Sequence, residues 1–133
     1  MMRFMLDTNI ISDMIRNPAG KAANAVEREG DDAICTSIVV ASELRYGCAR
    51  KGSARLLKKV EQLLAEIPVL PLDLPADAEY GALRAELEAA GQPIGHNDLF
   101  IAAHACAMGI TLVTANTGEF IRIRNLKIEN WLE

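Results

Sequence analysis

The sequence has no excess of basic residues. Fourteen Lys and Arg stand against eighteen Asp and Glu, a formal net charge of −4. A protein that grips nucleic acid by charge alone is usually basic, so any such role here must run through a local basic patch, a metal or a partner. Cysteine is sparse as well. Cys35, Cys48 and Cys106 lie far apart with no CxxC pair, which excludes a disulfide framework and fits a reducing compartment. They read as small buried hydrophobes rather than reactive thiols. Apolar runs long enough for a membrane are missing too: Leu99 to Val113 is the longest, is interrupted by His104, and falls short of a span. Asp7 and Asp13 break the first apolar stretch, so no signal peptide is expected. The expected location is the cytoplasm. There is no internal repeat, linker or low-complexity segment.

What is present is an alternation of short apolar runs and amphipathic stretches. At 133 residues, half of them hydrophobic, the chain is expected to be one domain, residues 1–133, with a real core. Arg3 to Leu6 reads as a strand. Thr8 is placed to cap a helix through Ile10, Ile11, Met14 and Ile15, which Asn17-Pro18 breaks. Lys21 to Glu29 reads as a short helix stopping at Gly30. A strand at Ala33 to Thr36 follows, and then a helix capped by Ser37 that runs to about Ala49. Ser53 opens an amphipathic helix carrying Leu56, Leu57, Val60, Leu63 and Leu64. Val69 to Leu72 is a third strand. Pro75 precedes a helix with Ala76, Tyr80, Leu83, Leu87 and Ala90 on its apolar face and Gly91 as its stop. After a loop from Gln92 to His96, Asn97 to Met108 is helical and apolar enough to be buried. Ile110 to Thr114 is a fourth strand, Gly118 to Ile121 a helical turn, and Leu126 to Glu129 a last strand. This pattern predicts an α/β fold: a parallel sheet of four or five strands with helices on both faces.

Three acids occupy special positions. Asp7 ends the first strand, and the crevice beyond the carboxyl ends of parallel strands is where sites form. Glu43 shares a helical stripe with Val40 and Gly47, at the margin of the inward face, where a lone carboxylate is costly. Asp98 heads the buried helix, whose N-terminus favours negative charge. Three carboxylates brought together need a cation, or at least one of their pKa values rises. An oxygen-rich pocket suits Mg²⁺, with Mn²⁺ as a substitute, and a metal-bound water can attack a phosphodiester in line. Each acid also has a plain structural reading. Asp7 can cap the next helix, Asp98 can complement a helix dipole, and Glu43 can pair with Arg45 or face solvent. Spacing alone does not show that the three meet.

Arg45, Arg50, Lys51, Arg55, Lys58 and Lys59 form the densest basic stretch. Of these, Arg45 and Arg50 share a helix with Glu43 and are the better candidates for phosphate contacts with a nucleic acid; a solvated helix face is the competing reading. His96 is expected in an exposed loop, His104 as a core histidine bonded to backbone, Tyr46 as a packing residue with base stacking as the alternative, and Trp131 as a seal on the sheet edge.

Taken in order, these segments resemble a known family. Phe4-Met5-Leu6-Asp7-Thr8-Asn9 looks like the opening of PIN-domain nucleases, more narrowly the VapC-type toxins of bacterial toxin–antitoxin pairs. Ser37 to Gly47 is similar to that family's second motif, Pro93 to Ala105 to its third, and Thr111 to Phe120 to its fourth. Glu129-Asn130-Trp131 resembles its usual ending. The resemblance implies a PIN fold and a Mg²⁺-dependent endoribonuclease that cuts structured RNA, often transfer RNA, with a metal-activated water. Asp7, Glu43 and Asp98 match the family's acidic positions, with Asp7 and Asp98 as direct metal ligands and Glu43 completing the shell or orienting water. Where many members carry a further acid, this chain has Asn116, which can ligate or hold a water but adds no charge. Glu119, about one helical turn later, is the candidate for the missing carboxylate, and Thr114 is an accessory candidate for positioning water or phosphate. One metal or two is left open.

The resemblance further implies a VapB-type antitoxin that blocks the acidic pocket, contact with DNA only through that antitoxin, and a toxin homodimer within a larger hetero-oligomer. A second reading, resting on Asn116 alone, is a catalytically weak module that acts through antitoxin and RNA binding. Phosphoryl transfer on an aspartate is disfavoured, since the phosphatases of that type need a second Asp where this chain has Asn9.

Overall fold

The computed structural model describes residues 1–133. The elements in order are β1 (Phe4–Leu6), α1 (Thr8–Arg16), α2 (Lys21–Glu29), a 3-10 turn (Asp31–Ala33), β2 (Ile34–Ser37), α3 (Ile38–Lys51), α4 (Ala54–Glu66), β3 (Val69–Leu70), α5 (Ala76–Ala89), α6 (His96–Met108), β4 (Thr111–Val113), α7 (Thr117–Phe120) and β5 (Ile128–Glu129). The five strands form one sheet in the order β3-β2-β1-β4-β5, and every pairing is parallel. The expected α/β architecture is the observed one.

Parallel strands covered on both faces read as unbroken apolar runs. Phe4, Met5 and Leu6 of β1 are all buried, aligned with Ile34, Cys35 and Thr36 on one side and Thr111, Leu112 and Val113 on the other. From β1 the chain steps outward to β2 and β3, then returns to the far flank of β1 to lay down β4 and β5. The strand order therefore reverses between β1 and β4. That reversal opens a crevice at the carboxyl ends of the strands, the general location of sites in open α/β sheets.

Packing fixes the elements that frame this crevice. Helix α6 buries Leu99, Ile101, Ala102, Ala103, His104 and Ala105, and Phe100 stacks on Tyr80 of α5 with ring centroids 4.3 Å apart. Trp131 packs edge-on against Phe4 at 5.0 Å and lies just beyond β5 at the sheet edge, as expected of it. The cysteines also follow expectation: all three are free, with Cys35 and Cys48 buried. Burial pushes the thiols of Cys35 and Cys106 up to about 11, so neither is a nucleophile near neutral pH.

Several boundaries differ from the sequence reading. The N-cap of α1 is Asp7, not Thr8; its Oδ1 accepts from the Thr8 N–H at 2.8 Å. Helix α6 begins at His96, one residue earlier than expected, because Gly95 takes the extended cap conformation. Strand β3 is only Val69–Leu70, since Pro71 has no N–H to continue a ladder. His104 does sit in the core, but its side-chain partner is the Ser37 hydroxyl, 2.8 Å from Nδ1, in addition to the backbone at Pro71.

Candidate active site

Four segments deliver carboxylates to the crevice. Asp7 follows β1 directly and is 3% exposed; its backbone N–H continues the ladder to the Val113 carbonyl at 2.9 Å. Burial this deep, and next the hydrogen bonding and the nearby Glu43 charge, set its ionisation, with the net result that its pKa is raised. The carboxylate is held in one orientation. Oδ1 accepts from Thr8 N–H, while Oδ2 accepts from the Thr114 hydroxyl at 2.8 Å and from the Asn9 amide at 3.4 Å. Asn9 also ties the two strand ends together, since its Oδ1 accepts from Ala115 N–H at 2.9 Å.

Glu43 reaches the crevice from the half-buried margin of α3. Its Oε1 accepts from the Thr8 hydroxyl at 2.6 Å, and its Oε2 lies 3.5 Å from the Asn97 amide nitrogen. The alternative pairing with Arg45 is not made: Arg45 bonds Glu61 on α4 at 3.2 Å. Asp98 sits in the first turn of α6. Burial, followed by the charges of Glu119, Asp7 and Glu43, lifts its carboxyl to about 7. Those causes place all four acids within electrostatic reach of one another.

The fourth carboxylate is Glu119. Its Oε1 accepts from Gly95 N–H at 3.3 Å and its Oε2 from the Asn116 amide at 3.0 Å. Burial alone would raise it, but these bonds, with those to Asp98 and the charge of Arg122, hold it below its ordinary value. Asp98 and Glu119 thus face each other with their ionisation split, Asp98 up and Glu119 down. Asn116 donates its amide N–H to Glu119, and its backbone N–H bonds Thr114 Oγ1 at 3.0 Å. Asn116 and Glu119 are thus joined by a side-chain hydrogen bond. The sequence carried a usable sign of this: three residues on a helical turn is the spacing at which side chains meet.

The donor set fits a hard divalent cation. It is all oxygen, and Asp7, Glu43 and Asp98 enter no ion pair with Lys, Arg or His. Burial first, and the neighbouring acids after it, raise two of the carboxyls. No three acids converge tightly enough to ligate one ion simultaneously, which is compatible with an ion such as Mg²⁺ that keeps several waters.

A groove of about 260 Å³ leads away from this pocket between α1, α3 and α4. Thr8 and Glu43 stand at its acidic end, and Arg16 and Lys51 also line it. Neither cation is engaged in an ion pair. Arg50, singled out from the sequence, is exposed on α3. Tyr46, expected to pack, is instead 66% exposed, because the inward stripe of α3 is filled by Val40, Ala41, Leu44 and Cys48. His96 is exposed, as expected.

A PIN domain family model matches residues 4–126. The chain is 40% identical over 134 residues to the tRNA(fMet)-specific endonuclease VapC of Shigella flexneri, covering 98% of this chain and 99% of the relative. It is 39% identical over 132 residues to ribonuclease VapC2 of Rickettsia felis, with 98% of each chain covered. Among solved structures, the fold matches a chain of the VapBC2 complex of Rickettsia felis bound to a promoter DNA fragment, with a TM-score of 0.90, 38% identity, and 98% and 99% of the two chains covered. A DNA-bound VapBC complex from Salmonella typhimurium matches with a TM-score of 0.90 and 36% identity, over 98% of this chain and 99% of that one.

Proposed function

Because the chain belongs to the PIN-domain family and matches VapC ribonucleases over 98% of its length, we propose that it is the endoribonuclease toxin of a toxin–antitoxin pair. The observation that carries this reading is that four carboxylates from four separate segments lie within electrostatic reach at the β1–β4 switch point, with no ion pair to a basic side chain at Asp7, Glu43 or Asp98.

Asp7 and Asp98 would hold a divalent ion, Mg²⁺ with Mn²⁺ as substitute, and Glu43 and Glu119 would complete its surroundings. When bound, the ion supplies charge neutralisation and acidifies a coordinated water for in-line attack on a phosphodiester. The chain's own groups do the rest. Thr8, Asn9 and Thr114 fix the Asp7 carboxylate so that it is already oriented, which spares reorganisation during the reaction. Glu43, fixed through Oε1 by Thr8 and touched at Oε2 only by the long 3.5 Å bond from Asn97, would orient an attacking water. Burial and the neighbouring acids raise the Asp98 carboxyl to about 7 without a metal, and a bound cation would favour its ionised form. The products carry 5′-phosphate and 3′-hydroxyl ends, since water attacks and the ribose 2′-hydroxyl does not.

The substrate class is structured RNA, with transfer RNA favoured by the activity named for the Shigella flexneri relative. The partner is a VapB-type antitoxin, in line with the VapBC complexes that share this fold; DNA contact would come through that partner, and the toxin would act as a homodimer within the assembly. No helix is long and apolar enough to cross a membrane, and a cytoplasmic site of action follows from an RNA substrate. Glu119 supplies the carboxylate that Asn116 does not, which favours the enzyme over the catalytically weak alternative. The test is incubation of transfer RNA with the purified protein in Mg²⁺ and in EDTA. Cleavage in Mg²⁺ that is lost in EDTA and in Asp7→Asn supports the reading. Cleavage that persists in EDTA, or 2′,3′-cyclic phosphate ends, overturns it.

A further inference from the structure

Residues Val39, Glu43, Tyr46 and Arg50 recur along α3 at steps of four, three and four, the spacing that keeps side chains on one face of a helix. Glu43 belongs to the acidic pocket. Tyr46 follows one turn later, 66% exposed, and its hydroxyl has no hydrogen-bond partner within the chain. Arg50 lies about 10 Å beyond Glu43 along the helix axis at ~1.5 Å per residue, exposed and outside every ion pair of the molecule. Arg45 falls on a different side of α3 and is neutralised by Glu61, so the two arginines singled out together are not equivalent.

We propose that this face of α3 is a substrate-strand platform, on which Tyr46 stacks against an unpaired nucleobase beside the scissile phosphate and Arg50 pairs with the phosphate further along. The proposal rests on the ribonuclease reading and adds the residues that seat the strand beside the cut, Tyr46 and Arg50. A bare aromatic ring on a helix surface has an apolar face to cover, and base–aromatic stacking covers it without regard to sequence. Single-stranded loops are where RNA offers splayed bases. A free guanidinium in line with the ring matches a backbone phosphate and suits bidentate contact. In a protein of net charge −4, such a local foothold is what allows an acidic chain to hold RNA.

The experiment uses the full chain and a fluorescently labelled RNA hairpin with a cleavable single-stranded loop. Steady-state cleavage is measured in Mg²⁺, and RNA affinity is measured by fluorescence anisotropy in EDTA. Tyr46→Ala is expected to raise KM and the metal-free Kd about tenfold, the scale of one base–aromatic stack, with kcat within twofold. Tyr46→Phe is expected to stay near wild type, because the ring and not the hydroxyl does the stacking. Arg50→Gln is expected to weaken binding and to lower the slope of log Kd against log salt by about one unit. Wild-type cleavage combined with an unchanged KM and Kd in Tyr46→Ala overturns the platform alone. So does a Tyr46→Ala variant whose only change is weaker self-association or weaker binding of a protein partner. A wild-type chain that neither binds nor cuts RNA overturns the ribonuclease reading and the platform with it.

Discussion

The Thr8 hydroxyl donates to Glu43 Oε1 at 2.6 Å, joining the first residue of α1 to an acid on α3. Thr8 itself stands next to Asp7 and gives it a backbone N–H. One residue therefore orients two of the four carboxylates. Thr8→Val keeps the shape and the backbone bond but removes the hydroxyl, and groups supporting metal-site ligands typically carry 10–100-fold in activity. Thr8→Val is expected to lower kcat by roughly that factor, while Thr8→Ser retains most activity. Steady-state RNA cleavage by the two variants checks this. Equal loss in both would point to packing of the Thr8 methyl instead.

The same logic separates Asn116 from Glu119. Asn116 donates to Glu119 Oε2, and in the proposed site the carboxylate is the working group and the amide its support. Glu119→Gln is expected to reduce cleavage by at least an order of magnitude more than Asn116→Ala. Asn116→Asp, which restores the acid common in the family's fourth motif, is expected to reduce activity too. It exchanges a donor to Glu119 for a like charge, which destabilises the ionised pair. An Asn116→Asp variant faster than wild type would show that position 116 is itself the place for the fourth acid.

The acidic cluster also sets a pH dependence. Burial, then Glu119, Asp7 and Glu43, raise Asp98 from 3.8 to about 7. A group bound more tightly to its proton when folded contributes stability that is complete below its unfolded value and is lost as pH rises through its folded value. For Asp98 that window is about 4 to 7. Metal-free protein is therefore expected to lose this contribution between pH 4 and 7, and Mg²⁺ to raise Tm more at pH 8 than at pH 5.5. Asp98→Asn removes the titration and is expected to raise the metal-free Tm at pH 8 while abolishing the Mg²⁺ shift. Thermal melts with EDTA and with Mg²⁺ give the answer; an Mg²⁺ shift independent of pH would contradict it.

The legibility of this chain was uneven for physical reasons. Element types came through because apolar runs at Phe4–Leu6 and Ile34–Ser37 and the periodic stripe of α4 record burial directly. Asp7, Glu43 and Asp98 were visible because each sits at an element boundary or on a half-buried face, where a carboxylate is unusual. Their convergence was not visible, since it depends on the strand order placing β4 beside β1. The Asn116–Glu119 bond was not visible for a related reason: which end of an amide points at a neighbour depends on how α7 places Glu119 beside it. Tyr46 was misread because an aromatic on a helix is usually packed, and only the filled inward stripe of α3 shows that no space is left for it.

Ser37 gives a contrasting test, in which stability and activity should part. Its hydroxyl caps α3 by accepting from Val39 N–H at 3.1 Å and lies 2.8 Å from His104 Nδ1. Because the hydroxyl already accepts, its proton is free to go to Nδ1 of the neutral ring. Burial pushes the His104 pKa down, with the Pro71 bond opposing it. Such a histidine contributes stability that is complete above its unfolded value of about 6.5 and is lost as pH falls through its folded value. Ser37→Ala removes a cap and leaves a buried ring nitrogen unpaired, each of which costs about 1–2 kcal/mol. Urea denaturation at pH 7.5 is expected to show a loss of about 1–3 kcal/mol, with RNA cleavage within a few-fold of wild type, since no acid of the pocket bonds to Ser37. A Ser37→Ala protein as stable as wild type would mean that a water replaces the hydroxyl. Cleavage lost at full stability would instead make the Ser37–His104 pair part of the site.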